Sequence, residues 1–123
     1  MSNFSQIPTP ASKFSRIIRI YDNKCVINAR ACHVLHDVRK PFIKIYFKEE
    51  GDARGHVYIR PSCDDGFRVS TRKGRSSGFI NSVYLCTELV RLLGSKGAYK
   101  VSETPETVSG HLCYQILPEK LIG

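Results

Sequence analysis

The chain lacks a cysteine framework: Cys25, Cys32, Cys63, Cys86 and Cys113 are scattered, with no CxxC and an odd count. That pattern argues against a disulfide scaffold and leaves reduced thiols as the expectation. No apolar run approaches membrane-spanning length, and the first residues, MSNFSQIPTPASK, have no basic start followed by an apolar stretch, as a secretory signal would. The expected location is therefore cytoplasmic. Neither GxxxxGK[ST] nor GxGxxG occurs, so a nucleotide pocket of either familiar kind is not expected. General acid/base chemistry lacks a pair too, because Glu49, Glu50, Asp64 and Asp65 fall in segments that read as solvated loops.

Acidic residues are in short supply: 11 stand against 19 lysines and arginines, a formal charge of +8 and an isoelectric point near 9.4. Such a balance favours contact with polyanions and is silent on fold. The excess is uneven. Residues 1–48 carry +7 and residues 68–100 carry +6, whereas 49–67 and 101–123 carry −3 and −2.

What is present is ordinary globular composition, 41% hydrophobic and 24% charged over 123 residues, enough for one packed core. Residues 1–13, rich in Ser, Pro and Thr, read as a flexible arm, and 14–123 as a single domain without internal repeats. Ile17, Ile18, Ile20 and Tyr21, then Asp22-Asn23-Lys24, then Cys25-Val26-Ile27 read as a hairpin. Asn28 is placed to cap a helix running to about Asp37, ended by Pro41. Alternation over Phe42–Lys48 predicts a half-buried strand. Two more, over His56–Arg60 and Phe67–Thr71, flank a turn on Pro61 and Asp64-Asp65-Gly66 short enough to make them neighbours in a meander. Leu85, Cys86, Leu89, Leu92 and Leu93 form a helical stripe capped by Asn81 or Ser82 and closed by Gly94. Two final strands, 98–102 and 112–117, complete an expected α+β fold: a mainly antiparallel sheet with two helices packed on one face.

This order of elements from Ile17 to Tyr99, with the Arg72 to Gly78 loop before the leucine-rich helix, resembles small uncharacterised α+β proteins of bacterial and mobile-element genomes. The resemblance implies no assigned activity.

Strand alternation sorts the side chains by face. Ile43, Ile45, Phe47, Val57 and Ile59 point inward, as do Phe67, Val69 and Thr71, which leaves a cationic outer face interleaved with aromatics. Cations neutralise phosphates and flat rings stack on unpaired bases, so this face suits nucleic acid, single strands preferred. Lys44, Tyr46, Tyr58, Arg60, Arg68 and Arg72 are the expected contacts, Tyr46 and Tyr58 as stacking rings, with Lys73 and Arg75 added from the loop. A solvated sheet face carries the same residue types, and a subunit interface would bury the rings, so a protein-interaction or homodimer module is the alternative. Cys32, His33 and His36 supply too few ligands for a metal, and His111 with Cys113 lacks an orienting acid. No catalytic residue, metal or cofactor is expected.

Overall fold

Asn28 shows how local chemistry sets the first elements. Its side-chain oxygen accepts from the Ile17 N–H (3.0 Å) and the Ala31 N–H (2.9 Å), and its amide nitrogen donates to the Ser15 carbonyl (2.6 Å). One residue thus ties strand β1 (Ile17–Ile20) to the start of helix α1 (Ala29–Leu35), with β2 (Lys24–Ile27) between them. These features come from a computed structural model that describes residues 7, 15–37, 39–51 and 55–121. Except for Ile7, the arm expected over 1–13 lies outside the described residues.

The chain continues through β3 (Phe42–Phe47), β4 (Val57–Ser62), β5 (Phe67–Arg68), β6 (Ser70–Thr71), β7 (Gly78–Asn81), α2 (Val83–Leu93), β8 (Gly97–Val101), β9 (Glu106–Val108) and β10 (His111–Leu121). As expected, Gly94 closes α2 in the left-handed region (φ 100°); Ser82 rather than Asn81 caps its start, accepting from the Leu85 N–H at 3.0 Å. Helix α1 is shorter than expected and ends at Leu35.

The strands are all antiparallel, in the order β5-β3-β4-β10-β8-β1-β2-β7-β6, with β9 paired to β10. The two outermost segments, β5 and β6, are consecutive in the chain with only Val69 between them. The sheet therefore curls into a nearly closed barrel, with 47% of the described residues in strands and 17% in helices. This corrects the expected α+β sheet with helices on one face. Nine strands laid flat at about 4.8 Å each would span on the order of 40 Å, and two helices each about 10 Å across would leave much of one face bare. Curling lets opposite walls bury each other. A single core joins Ile18, Ile27, Ile43, Ile59, Ile80, Tyr99 and Ile116 from the walls with Leu35 of α1 and Leu89 of α2.

The expected meander is also corrected. Strand β5 pairs with β3, not β4, and β4 pairs on its other edge with β10. Glycine makes this crossing possible: at Gly66 (φ 126°) a Cβ would overlap the Ile43 carbonyl oxygen. Of the residues expected inward, Ile43, Val57, Ile59 and Val69 are buried and Ile45 and Phe67 pack against the core, but Phe47 is 41% exposed and Thr71 is exposed.

Although no repeat shows in the sequence, the structure contains one. The series β1, β2, α1, β3, β4 recurs as β5/β6, β7, α2, β8, β10. Each helix follows a four-residue strand and a side-chain cap, carries a cysteine one turn on (Cys32, Cys86) and a leucine one turn later (Leu35, Leu89). Pairing obeys the same twofold relation: β2 meets β7, β4 meets β10, and the first strand of each unit pairs with the third of the other, β1 with β8 and β5 with β3. Core contacts also cross between the two halves. Cys25 Sγ of β2 lies 3.5 Å from Cys86 Sγ of α2, and Gly78 of β7 faces Cys32 of α1, whose Sγ would stand 3.3 Å from an added Cβ.

At Gly78 an added Cβ would also stand 2.8 Å from Val69 Cγ1, at the seam where the barrel closes. Gly78→Ala is therefore expected to destabilise the fold by about 1 to 3 kcal/mol, the usual cost of overpacking, read as an earlier urea midpoint. An unchanged midpoint would contradict this account of the seam.

Candidate functional site

The outer face of β3 and β4 holds the residues expected to bind, but it is internally satisfied. Lys44 and Arg60 are direct cross-strand partners, an arrangement that repels unless each cation finds a counterpart. Each does. Lys44 Nζ pairs with Asp65 at 2.5 Å, and this carboxylate holds the ammonium above its ordinary pKa. Arg60 Nε donates to Tyr46 Oη (2.9 Å), a second guanidinium nitrogen donates to the Pro61 carbonyl, and its carbon stands 5.7 Å from the Tyr46 ring centre. His111 lies roughly parallel to the same ring, centroids 6.4 Å apart. Tyr58 is half-buried, and desolvation, followed by the nearby Glu106, raises its hydroxyl pKa. Thus Lys44, Tyr46, Tyr58 and Arg60 are brought together on the paired strands β3 and β4, Lys44 opposite Arg60 and Tyr46 opposite Tyr58. Arg68, at the edge, rests over Phe42 (5.8 Å) and is exposed.

Arg72, Lys73 and Arg75 lie elsewhere, on the connection between β6 and β7. The internal repeat supplies a reference for that connection. The equivalent hairpin, β1 to β2, turns in three residues, 21–23, whereas β6 to β7 takes six, 72–77. Closing the hairpin does not require the added length, and the longer turn holds three cations and no acid. Its geometry is defined: the Arg75 N–H donates to the Arg72 carbonyl at 2.9 Å, and Gly74 adopts φ 79°. A hydrogen bond between first and fourth residues with positive φ at the third is the glycine-dependent form of β-turn, and it holds the ends of the turn within about 7 Å.

The turn borders a pocket of about 210 Å³ lined by Lys24, Val26, Arg72, Arg75, Ser77, Gly78 and Phe79. Val26 and Phe79 are cross-strand partners on β2 and β7, so the floor is apolar and the walls are cationic. Arg72 is placed by the Phe79 ring (5.3 Å to its centre) and Lys24 by the Tyr21 ring (5.7 Å). None of the three ion pairs between described residues involves Lys24, Arg72 or Arg75, and both segments that line the pocket, 23–36 and 66–87, are free of Asp and Glu. Lys24 is the residue that sequence reasoning missed. Its outward position next to a hairpin turn was visible, but its neighbours across β7 were not.

No group of three or more His, Cys, Asp or Glu side chains among the described residues is placed to hold a metal. Cys32 is buried while His33 is exposed. Cys113 Sγ donates to the His111 carbonyl (3.6 Å), and burial raises its thiol pKa, as it does for Cys25 and Cys32. A nucleophilic thiolate at Cys113 is therefore disfavoured. Comparison with family models, curated proteins and solved structures finds no match.

Cys63 is exposed and the other four thiols are buried. A native thiol titration with an aromatic disulfide reagent at neutral pH should therefore report one fast group, rising to five in denaturant; two or more fast groups would contradict the burial of the others.

Proposed function

We propose that this chain binds nucleic acid without catalysis, using a phosphate-directed basic surface centred on the 72–75 turn and the adjoining outer face of β2 and β7. The lengthened turn is the observation that carries this reading. The same fold closes its equivalent hairpin with three residues and an aspartate, so the six-residue basic turn is not a requirement of the barrel. Lys24, Arg68, Arg72, Lys73 and Arg75 would meet phosphates, releasing counterions as they bind. A preference for single strands would need a free ring face. Arg60 occupies Tyr46, and Tyr58 is half-buried, so base stacking there requires the Arg60–Tyr46 contact to open.

Titrating labelled single-stranded and duplex DNA and RNA by fluorescence anisotropy over a salt series tests the proposal. Affinity should fall linearly with salt on logarithmic axes, and replacing both Arg72 and Arg75 by Ala should reduce the magnitude of that slope by about two. No saturable binding at low salt would overturn it. In the same titration, Tyr46→Ala with Tyr58→Ala should weaken single-strand binding selectively if the rings stack; an equal effect on duplex, or none, would leave phosphate contacts as the whole interface.

One observation favours the second reading, a protein-interaction or homodimer module. Val83 and Tyr84 at the start of α2 are 62% and 67% exposed. Tyr84 stacks on Phe67 (6.3 Å) beside a groove that also includes Ile45, Phe47 and Leu92. Salt separates the two readings, because an apolar contact does not weaken steeply as ionic strength rises.

A further inference from the structure

We infer that the pocket bounded by Lys24, Arg72, Arg75 and Ser77 takes a terminal phosphate, the monoester end of a nucleic-acid strand, in preference to an internal phosphodiester. This deepens the nucleic-acid reading and rests on it for what the phosphate is attached to. Charge is the first reason. A phosphate monoester carries about −1.5 to −2 at neutral pH and presents three terminal oxygens, whereas a diester carries one negative charge. Three cations from two elements line this single pocket, with no carboxylate among its lining residues. A monoester can satisfy all three.

Shape is the second reason. Val26, Gly78 and Phe79 give the pocket an apolar side, and the volume is about 210 Å³, room for a phosphate group and part of a sugar. An internal phosphate has an ester link on both sides and must lie across an open groove. A terminal phosphate has one link, so a pocket of this size can take the whole group from one side. The third reason is preorganisation: the Arg75-to-Arg72 turn bond, Gly74 and the two aromatic rings already position the cations, so less side-chain freedom is lost on binding. Ser77 adds a hydroxyl able to donate to the third oxygen.

The test uses the full chain and one short oligonucleotide sequence in three forms: 5′-phosphorylated, 3′-phosphorylated and with hydroxyls at both ends. Inorganic phosphate and a nucleoside monophosphate serve as competitors. At least one phosphorylated form should bind on the order of tenfold tighter than the hydroxyl form, as charge-assisted hydrogen bonds to one extra group would give. That gain should shrink as pH falls through about 6, where the monoester becomes a monoanion. Arg75→Ala and, from a separate element, Lys24→Gln should each abolish the gain while leaving the melting temperature unchanged. Equal affinity for all three forms, with binding intact, overturns the pocket assignment and leaves the nucleic-acid reading standing. Arg75-dependent binding of the nucleoside monophosphate or inorganic phosphate with no oligonucleotide binding supports the pocket and overturns the nucleic-acid reading. Failure of every probe overturns both.

Discussion

The backbone hydrogen bond from the Val69 N–H to the Pro41 carbonyl, 2.9 Å long, lies at the point where the two ends of the sheet meet. Val69 is the residue between β5, which pairs with β3, and β6, which pairs with β7. Its side chain is buried at 3% exposure, and its Cγ1 would crowd any Cβ placed on Gly78. A sheet with two open edges exposes unpaired backbone groups on both sides; this segment covers part of both edges with one stretch of chain. The burial of Ile43 on one side of the seam and Ile80 on the other follows from that closure.

Closure also explains why the internal repeat is interleaved rather than stacked. Each five-element unit alone would be a small sheet with a seven- or eleven-residue helix, too little to exclude water from its core. By lending its first strand to the other unit, each half obtains walls it cannot build alone, and both helices enter one shared core. Cys25 of β2 against Cys86 of α2, and Gly78 of β7 against Cys32 of α1, each set a strand of one half beside the helix of the other.

Against so regular a scaffold, departures from symmetry stand out. The 72–77 turn departs from its counterpart in length, charge and glycine content together, and it does so next to Lys24 and Phe79 on the outer face of β2 and β7. The outer face of β3 and β4, by contrast, owes its cations to local pairing. Asp65 answers Lys44 and Tyr46 answers Arg60, which turns an apparently open basic aromatic surface into a set of intramolecular contacts. Positive charge on a sheet face is informative only once its neighbours are known.

By itself the sequence determined what depends on a few adjacent residues: the β1–β2 hairpin through Asp22-Asn23, the capping by Asn28, the leucine stripe of α2 ended by Gly94, and the alternation that points Ile43, Val57 and Ile59 inward. Capping, turn chemistry and side-chain periodicity act over one or two turns of chain and are written in order along it. Tertiary structure alone decided that β5 joins β3 instead of β4, that β1 pairs with β8, that the sheet closes on itself, and that Asp65 lies beside Lys44. The physical reason is that a strand edge bonds equally well to any strand with the right direction and spacing. The choice among partners is made by burial of the whole core, which no short window of sequence contains.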